Sequence, residues 1–322
     1  MAFLAIRGHI PPFLPGNSMN IPIRHPLHRR PWLGLLSAGV LAISCATSPE
    51  QRSRVAIGRS LSFHASFDTQ VDADFARGDG RLQVAPKWGQ PRVVHPGVPA
   101  GNTVHVVPGA GHFGGALRFE HKIDELVAFR AADNVAYQTH DWSGSVSFWL
   151  RLDPDVDLAP EYCDALQITP RDWNDAAFYT DFTKDEKPRH FRLGAMADLP
   201  VWNPQKRDWD SIPLAEKPLV TVTHPPFSRD HWTHVAFTWE HYNTGRPDAI
   251  TRFYLDGRLQ GEVPTRLQTF TWDPRKCLIM LGLAYTGWMD DLAIFDRALS
   301  PDEITTLNRL PGGIHALPRP QK

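Results

Sequence analysis

Five aromatic side chains in one polar, proline-rich stretch have the chemistry to bind a sugar. The stretch covers residues 153–230, and its aromatic candidates are Tyr162, Trp173, Tyr179, Trp202 and Trp209. Exposed rings stack on the apolar faces of sugars, while amides and acids bind the hydroxyl groups. Asn203 is the amide candidate, with Asn174 and Asp208 also nearby in sequence. Alternatively, these tryptophans anchor loops onto the domain, because tryptophan is usually mostly buried.

Common catalytic and nucleic-acid-binding patterns are missing from the sequence. It has no Gly-x-Ser-x-Gly, Walker loop, zinc motif or dinucleotide loop. His231 and His234 are three residues apart in a strand-like segment, so they point to opposite faces and form a poor metal pair. The formal net charge of −1 offers no basic surface for a nucleic acid. We therefore expect no nucleic-acid partner.

The N-terminal segment has the pattern of an export signal. Residues 1–44 contain four arginines and no acidic residue. The apolar run at 32–44 is shorter than the ~20 residues that span a bilayer, but it fits a signal-peptide core. It ends at Cys45 and resembles a bacterial lipoprotein signal, although Ala42 stands where leucine is typical. We expect an exported cell-envelope protein, membrane-anchored by a lipid on Cys45.

Several alternatives remain open for this segment. Translation starts at Met1 or at Met19, and the pair Arg29-Arg30 faintly resembles a twin-arginine signal. The run could also be a buried hydrophobic segment with a chance cysteine. In an exported protein, Cys163 and Cys277 can oxidise to a disulfide, although nothing in the sequence brings them together.

Strands dominate the pattern of the remaining chain. Apolar residues alternate with other residues along 61–67, 145–152, 234–239 and 251–255, and Asp256-Gly257 is a strong hairpin signal. The dense prolines of 153–230 predict long loops, inserted at one rim. The resulting expectation is an all-β fold in which two antiparallel sheets form a sandwich.

One helix is predicted, near the C-terminus. Ser300 is a capping residue, Pro301 occupies the first helical position and Glu303 completes a capping box. We therefore divide the chain into a signal peptide at 1–44, a tether at 45–60, one domain at 61–310 and a tail at 311–322.

Four ordered segments carry a family resemblance. They are Gly-Gly-Ala-Leu-Arg-Phe at 114–119, Ser-Val-Ser-Phe-Trp-Leu at 145–150, the strand at 232–237 with its hairpin at 253–257, and the run at 287–300. In this order and spacing they resemble a laminin-G-like domain of the concanavalin A-like lectin/glucanase superfamily. The resemblance covers about residues 61–310 and implies a jelly roll closed by the C-terminal helix.

The resemblance also implies a calcium site beside the last strands. Asp290 lies in the family's metal position, and Asp68 follows the first strand, which neighbours the last one in such jelly rolls. Calcium takes six to eight oxygen ligands. We expect Asp68 and Asp290 to contribute to a structural Ca²⁺ site. The alternative is that Asp290 caps a turn and Asp68 lies in a solvated loop.

The superfamily also suggests a ligand. Its glucanases carry Glu-x-Asp-x-x-Glu on one strand, which this sequence lacks, and the acids at 181–186 have a different spacing. We expect a non-catalytic extracytoplasmic binding module with a carbohydrate or glycan as the favoured ligand. The alternatives are a protein-protein interaction or adhesion lipoprotein of the envelope and, second, a glycan-active hydrolase or lyase.

Overall fold

The predicted strand pattern forms a two-sheet structure in a computed structural model, which describes residues 48–319. The first half of the described chain contains α1 (Pro49–Ser60), β1 (Leu61–Ala65), β2 (Phe75–Ala76), β3 (Gln83–Ala85), β4 (His95–Pro96), β5 (Val104–Val107), β6 (Ala116–Phe119), β7 (Leu126–Arg130) and β8 (Trp142–Arg151). The second half contains α2 (Pro154–Asp157), β9 (Cys163–Thr169), β10 (Ala177–Phe182), β11 (Phe191–Met196), α3 (Leu199–Trp202), β12 (Leu219–Val222), β13 (Thr233–Tyr242), β14 (Ala249–Leu255), β15 (Arg258–Arg266), β16 (Leu278–Leu283), β17 (Gly287–Phe295) and α4 (Pro301–Asn308).

The strands form two antiparallel sheets. The nine-stranded sheet has the order β15-β14-β13-β8-β17-β1-β2, and β6 pairs with both β17 and β5. The eight-stranded sheet has the order β12-β11-β10-β9-β16-β7-β3-β4. This mostly-β sandwich with a short C-terminal helix confirms the predicted fold class and is consistent with a jelly roll.

The main core lies between the two sheets. Phe148, Phe237 and Phe253 of the nine-stranded sheet are fully buried, as their alternating positions predict. Phe178 of the eight-stranded sheet packs on Phe237 with ring centroids 5.7 Å apart. Asp256 joins β14 to β15 with a φ of 48°, which the hairpin turn requires.

The prediction for residues 153–230 was wrong in its main point. This stretch contributes β9, β10, β11 and β12, which are half of the eight-stranded sheet. The prolines lie mainly in the connections between these short strands, where a missing backbone N–H is tolerated. The apolar residues of the strands, such as Phe178 and Phe191, enter the core.

The predicted tether is also partly wrong, because residues 49–60 form a helix packed on the domain. Ser48 caps α1 by accepting a hydrogen bond from the Gln51 N–H, and Pro49 begins the helix. Ile57 is fully buried in a cluster with residues of α4 and the C-terminal segment. The Ser-Pro-Glu start at 48–50 is the same kind of signal that identified the C-terminal helix.

The C-terminal helix forms as predicted. Ser300 Oγ accepts from the Glu303 N–H, and the Glu303 carboxylate accepts from the Ser300 N–H, which completes the capping box. Ile304 and Leu307 bury one face of α4. None of the helices in residues 48–319 has the length and apolar character needed to cross a membrane.

Candidate functional site

A row of charged side chains crosses the outer face of the eight-stranded sheet. Alternate residues of β9, β10 and β11 enter the core, so the residues between them face away from it. In the strand register, Asp164 of β9 lies opposite Asp181 of β10, which lies opposite Arg192 of β11. A register shift in the β9–β10 pairing leaves Ala165 as an extra residue, and Gln167 and Asp164 both reach the same cavity.

This row forms the floor of a cavity of about 470 Å³. The walls are aromatic side chains from the loops and from the sheet itself: Trp88, Tyr162, Trp173, Tyr179 and Trp209. The polar floor consists of Asp164, Gln167, Asp181 and Arg192. Asp172 and Arg92 also line the cavity. The volume lies within the range of ~300–1,000 Å³ that is typical of small-molecule sites.

The aromatic walls pack edge to face. Trp173 lies 5.0 Å from Trp209 and 6.0 Å from Tyr179, measured between ring centroids. Trp173 is 40% exposed and Tyr162 is 45% exposed, so both rings offer free surface to a ligand. The Arg192 guanidinium lies 4.9 Å from the Tyr162 ring centroid and Lys217 lies 4.4 Å from the Trp209 ring centroid. These contacts hold the walls in place.

Tyr179 brings an unsatisfied polar group to the cavity. Its side chain is buried, and its hydroxyl makes no hydrogen bond within residues 48–319. The ring lies over Gly194, where an added Cβ would be 2.2 Å from Tyr179 Cε1. Gly194 is therefore needed for the position of this ring. Burial raises the pKa of Tyr179, so its hydroxyl stays protonated.

The two carboxylates of the floor have different partners. Arg192 donates two hydrogen bonds to Asp181, one from Nε to Oδ1 at 2.9 Å and one from the terminal nitrogen to Oδ2. The Asp164 carboxylate makes no hydrogen bond or ion pair within the described residues. Burial, together with the charge of Asp181, raises the pKa of Asp164 well above its ordinary value, while Arg192 opposes this rise.

A family comparison covers the strands that carry this site. The sequence model of Laminin_G_3, described as Concanavalin A-like lectin/glucanases superfamily, matches residues 124–305. The chain belongs to this family. The match confirms the predicted laminin-G-like resemblance and includes β9, β10, β11 and β16.

Solved structures share the fold of this Laminin_G_3 chain at low identity. The receptor-binding domain of a botulinum neurotoxin mosaic serotype C/D has a TM-score of 0.51 and 11% identity, with 79% of this chain and 51% of that chain covered. The binding domain of botulinum neurotoxin DC in complex with SialylT has a TM-score of 0.50 and 12% identity, covering 79% and 52%. This chain therefore spans about half the length of these neurotoxin domains.

A third structure is covered almost completely. Domain 4 of an extracellular arabinanase from Geobacillus stearothermophilus, in complex with arabinotriose, has a TM-score of 0.40 and 16% identity, with 76% of this chain and 97% of that chain covered. No curated protein matches the chain. At these identities the structural likeness concerns the fold.

Four of the predicted ligand-binding residues of the Laminin_G_3 domain line the cavity: Tyr162, Trp173, Tyr179 and Trp209. Trp202 does not, because its Nε1 donates to the Asn174 carbonyl at 2.8 Å and its ring packs on Trp209. Asn203 lines a second cavity with Trp209, but both ends of its amide are bonded to the Arg207 backbone. Trp202 and Asn203 therefore support the loop, as the alternative interpretation states.

The sequence assigned no binding role to the floor residues, because their strands were predicted to be loops. Asp164, Gln167, Asp181 and Arg192 all lie in β9, β10 and β11. A signal was present, since Phe178, Thr180 and Phe182 alternate with Tyr179 and Asp181. Trp88 was also missed, because it lies far from the others in sequence.

The predicted metal ligands of this laminin-G-like domain meet at one loop. Asp290 Oδ2 accepts hydrogen bonds from the N–H groups of His112 and Phe113 at 2.7 and 3.0 Å, and Asp68 Oδ1 accepts from Gly115 at 3.0 Å. Asp290 Oδ1 is buried without a partner within residues 48–319. Burial, with smaller effects of neighbouring acids, raises the pKa of Asp290 to about 8. An orphaned carboxylate oxygen near a second carboxylate fits the oxygen chemistry of Ca²⁺.

A second cluster contains ligands that favour transition metals and adjoins the first, because His315 Nε2 lies 3.4 Å from Asp68 Oδ2. One ligand atom each from His64, Asp74 and His315 lie within 4.8 Å of one another. Protein groups already bind these side chains: His64 Nε2 contacts Asp291 Oδ1 at 2.7 Å, and His315 Nδ1 contacts Arg319 at 2.9 Å. Neighbouring protein groups outside the cluster therefore already bind one ring nitrogen of each histidine.

The possible disulfide between Cys163 and Cys277 is absent, and both are free, buried thiols. Cys163 begins β9, whereas Cys277 directly precedes Leu278, the partner of Thr169 at the far end of β9. Six residues of strand separate the two ends, which is about 20 Å. A disulfide requires Cα atoms within about 7 Å. Lipidation of Cys45 concerns a residue outside the described range.

Proposed function

We propose that this protein is a non-catalytic glycan-binding module whose ligand occupies the cavity on the eight-stranded sheet. The observation that carries the proposal is the combination of aromatic walls and a charged floor in one cavity of about 470 Å³. Trp173 and Tyr162 offer exposed ring surface, on which the apolar face of a sugar can stack. Gln167 and Asp164 can then bind sugar hydroxyl groups by donating or accepting hydrogen bonds.

The family assignment is consistent with a glycan ligand, but it does not identify the ligand by itself. The superfamily name includes lectins and glucanases. A fold hosts many functions, so the chemistry of the cavity has to carry the argument. That chemistry favours a ligand with both apolar faces and polar edges, which describes a sugar ring.

Hydrolysis is the second candidate, because Asp164 and Asp181 lie opposite each other. Side chains in such pairs have Cβ atoms ~5 Å apart, and retaining glycosidases hold their two carboxyl groups at about that separation. Arg192, however, binds both oxygens of Asp181. A carboxylate held in this way is a poor nucleophile, so binding is the favoured function. Release of new reducing ends from a bound glycan, abolished by Asp164→Asn, would support hydrolysis instead.

The decisive experiment is a glycan array combined with retention on insoluble polysaccharides. The Trp173→Ala variant should lose at least tenfold in affinity, because truncating a central aromatic anchor costs about 2 kcal/mol or more. Trp232→Ala is the matched control, since Trp232 is half-buried directly before β13 of the other sheet, where Arg151 lies over its ring. If no glycan binds, the proposal fails and an envelope protein becomes the favoured partner.

We also propose that Asp68 and Asp290 hold a structural Ca²⁺ ion when calcium is present. Bound calcium would neutralise the unpartnered Asp290 oxygen and stabilise the loop at 111–115, raising the melting temperature by linkage. The test compares melting in calcium and in chelator for the wild type, Asp290→Asn and the exposed control Asp230→Asn. Equal melting temperatures of the wild type in calcium and chelator would refute the site.

We propose an extracytoplasmic location with a lipid anchor on Cys45. The proposal rests on the sequence of residues 1–45 alone. Cys45→Ser should move the protein from the membrane fraction to the soluble fraction. Continued membrane association of Cys45→Ser would refute lipidation at this residue.

A further inference from the structure

The charges that line the cavity do not balance. Three carboxylates and two guanidinium groups line it, and among them only Arg192 and Asp181 form an ion pair within the described residues. Arg192 binds Asp181 directly. Arg92 donates to the carbonyls of Trp88 and Arg171 at 2.8 Å. Asp164 is therefore the carboxylate of the floor that has no ion pair, and the exposed Asp172 is a second unpaired carboxylate on the lining.

Two further polar groups of the floor also lack partners. The Tyr179 hydroxyl is buried and unpaired within the described residues. Gln167 is 3% exposed as a residue, and its side chain makes no hydrogen bond within residues 48–319. A buried polar group without a partner costs about 1–3 kcal/mol, so the Tyr179 hydroxyl is a position where a ligand gains binding energy, while the Gln167 amide is open to the cavity.

These three side chains lie in adjacent rows of the sheet. Gln167 is the register partner of Tyr179, and Asp164 is the register partner of Asp181, two residues further along β10. Neighbours across strands are ~5 Å apart, and rows on one face of a strand are ~7 Å apart. The Asp164 carboxylate and the Gln167 amide thus lie in neighbouring rows of β9, whereas the Tyr179 ring lies over Gly194 of β11, on the other side of β10.

We infer that the cavity selects a sugar that carries a primary ammonium group, bound by Asp164 and Gln167. An ammonium group has three donors and no acceptor, which matches the oxygens of the Asp164 carboxylate and the Gln167 amide. Its positive charge neutralises the unpaired Asp164 carboxylate, and the surrounding aromatic rings attract cations. This inference rests on the proposed glycan-binding function and specifies its ligand class.

Other sugar classes fit this floor less well. A neutral sugar leaves the Asp164 charge uncompensated or requires its protonation, and an acidic sugar meets like charge. The rim does contain lysines: Lys217 lies over Trp209, and Lys184 lies over Tyr162 and is ion-paired with Asp185. A preference for an acidic sugar held by Lys217 is therefore the competing outcome, and the experiment includes it.

The experiment measures binding of three oligosaccharides of equal length by the full protein. They are an oligomer of glucosamine, its N-acetylated counterpart and a uronic-acid oligomer, at a pH where the free amine is protonated. We expect at least tenfold tighter binding of the amine than of either other sugar. The variants are Asp164→Asn, the exposed control Asp230→Asn outside the cavity and Trp173→Ala, and their melting temperatures verify folding.

The variants separate this inference from the proposed function. Asp164→Asn should reduce the amine-to-acetyl affinity ratio to near one, whereas Asp230→Asn should keep the wild-type ratio. Trp173→Ala should weaken both sugars together. Equal wild-type affinity for amine and acetyl sugars, tighter binding of the uronic acid, or an unchanged ratio in Asp164→Asn would overturn the inference. In those cases Trp173-dependent glycan binding still supports the proposed function, whereas absence of all binding refutes both.

Discussion

Asp164 of β9 lies directly opposite Asp181 of β10, and of these two carboxylates Arg192 binds Asp181. The two aspartates therefore have different roles, although their side chains are identical. Asp181 is part of a buried ion pair that belongs to the sheet. Asp164 remains available to a ligand.

Removal of the guanidinium should destabilise the domain. Arg192→Leu leaves two facing carboxylates without their cation, at positions where the Arg192 and Asp181 side chains are only 12% and 4% exposed. Breaking a buried pair in this way costs about 3–5 kcal/mol in the free energy of unfolding. Urea unfolding measures this cost. The control Arg246→Leu removes a pair with Asp248 whose arginine is 72% exposed, and it should cost less than ~1 kcal/mol.

A methyl group added at Gly194, under the Tyr179 ring, should change the shape of the cavity. Gly194→Ala places its Cβ within 2.3 Å of two Tyr179 ring atoms, so the ring must move. We expect a loss of about 1–3 kcal/mol in stability and weaker glycan binding. Gly89→Ala, also on the cavity lining, has no atom within 4 Å of the added Cβ and should change neither. Unchanged binding by Gly194→Ala would show that the position of Tyr179 is unimportant.

The free energy of unfolding should decrease at acidic pH because His234 is buried in its neutral form. This side chain is fully buried, bonds to Ser147 Oγ at 2.8 Å and packs on Trp149 with ring centroids 4.9 Å apart; burial lowers its pKa to about 3. The unfolded chain binds a proton near pH 6.5, and the native state does not, so stability is lost as the pH falls below 6.5 towards 3.

The comparison of pH 7 with pH 5 isolates this effect. His234 should account for about 2 kcal/mol of the difference in unfolding free energy. His234→Gln should reduce the difference by that amount, whereas His241→Gln at an exposed position should leave it unchanged. An identical pH dependence in wild type and His234→Gln would show that His234 is protonated in the native state.

Helix α1 should contribute to the stability of the domain. Ile57→Ala removes a fully buried side chain that packs with Leu307, Ile314 and Leu317, and should cost about 2–5 kcal/mol. Arg59→Ala, exposed on the same helix, should stay within ~0.5 kcal/mol. Chemical denaturation compares the two variants. Wild-type stability of Ile57→Ala would restore the interpretation of residues 49–60 as a tether.

Local sequence patterns predicted those parts of the fold whose signals are complete within a few residues. The capping box of α4 needs residues 300–303, and the hairpin at Asp256 needs two residues and their flanking alternation. The Ser-Pro-Glu start of α1 is an equally local signal, but no helix was predicted from it. In the 153–230 stretch, the many prolines of the connections led to a prediction of loops. The strands between them show only short alternating patterns, because β9 to β12 have only four to seven residues each.

The sequence by itself determined the all-β sandwich, the family resemblance and the aromatic candidates, since periodicity, turn signals and residue type are local properties. Tertiary structure alone decided which aromatic residues share a cavity, and it separated Trp173 and Trp209 from the supporting Trp202 and Asn203. It also placed Asp164 opposite Asp181 and brought Arg192 to one of them. Strand register decides this difference, because a shift of a single residue would turn each of these side chains to the other face of the sheet.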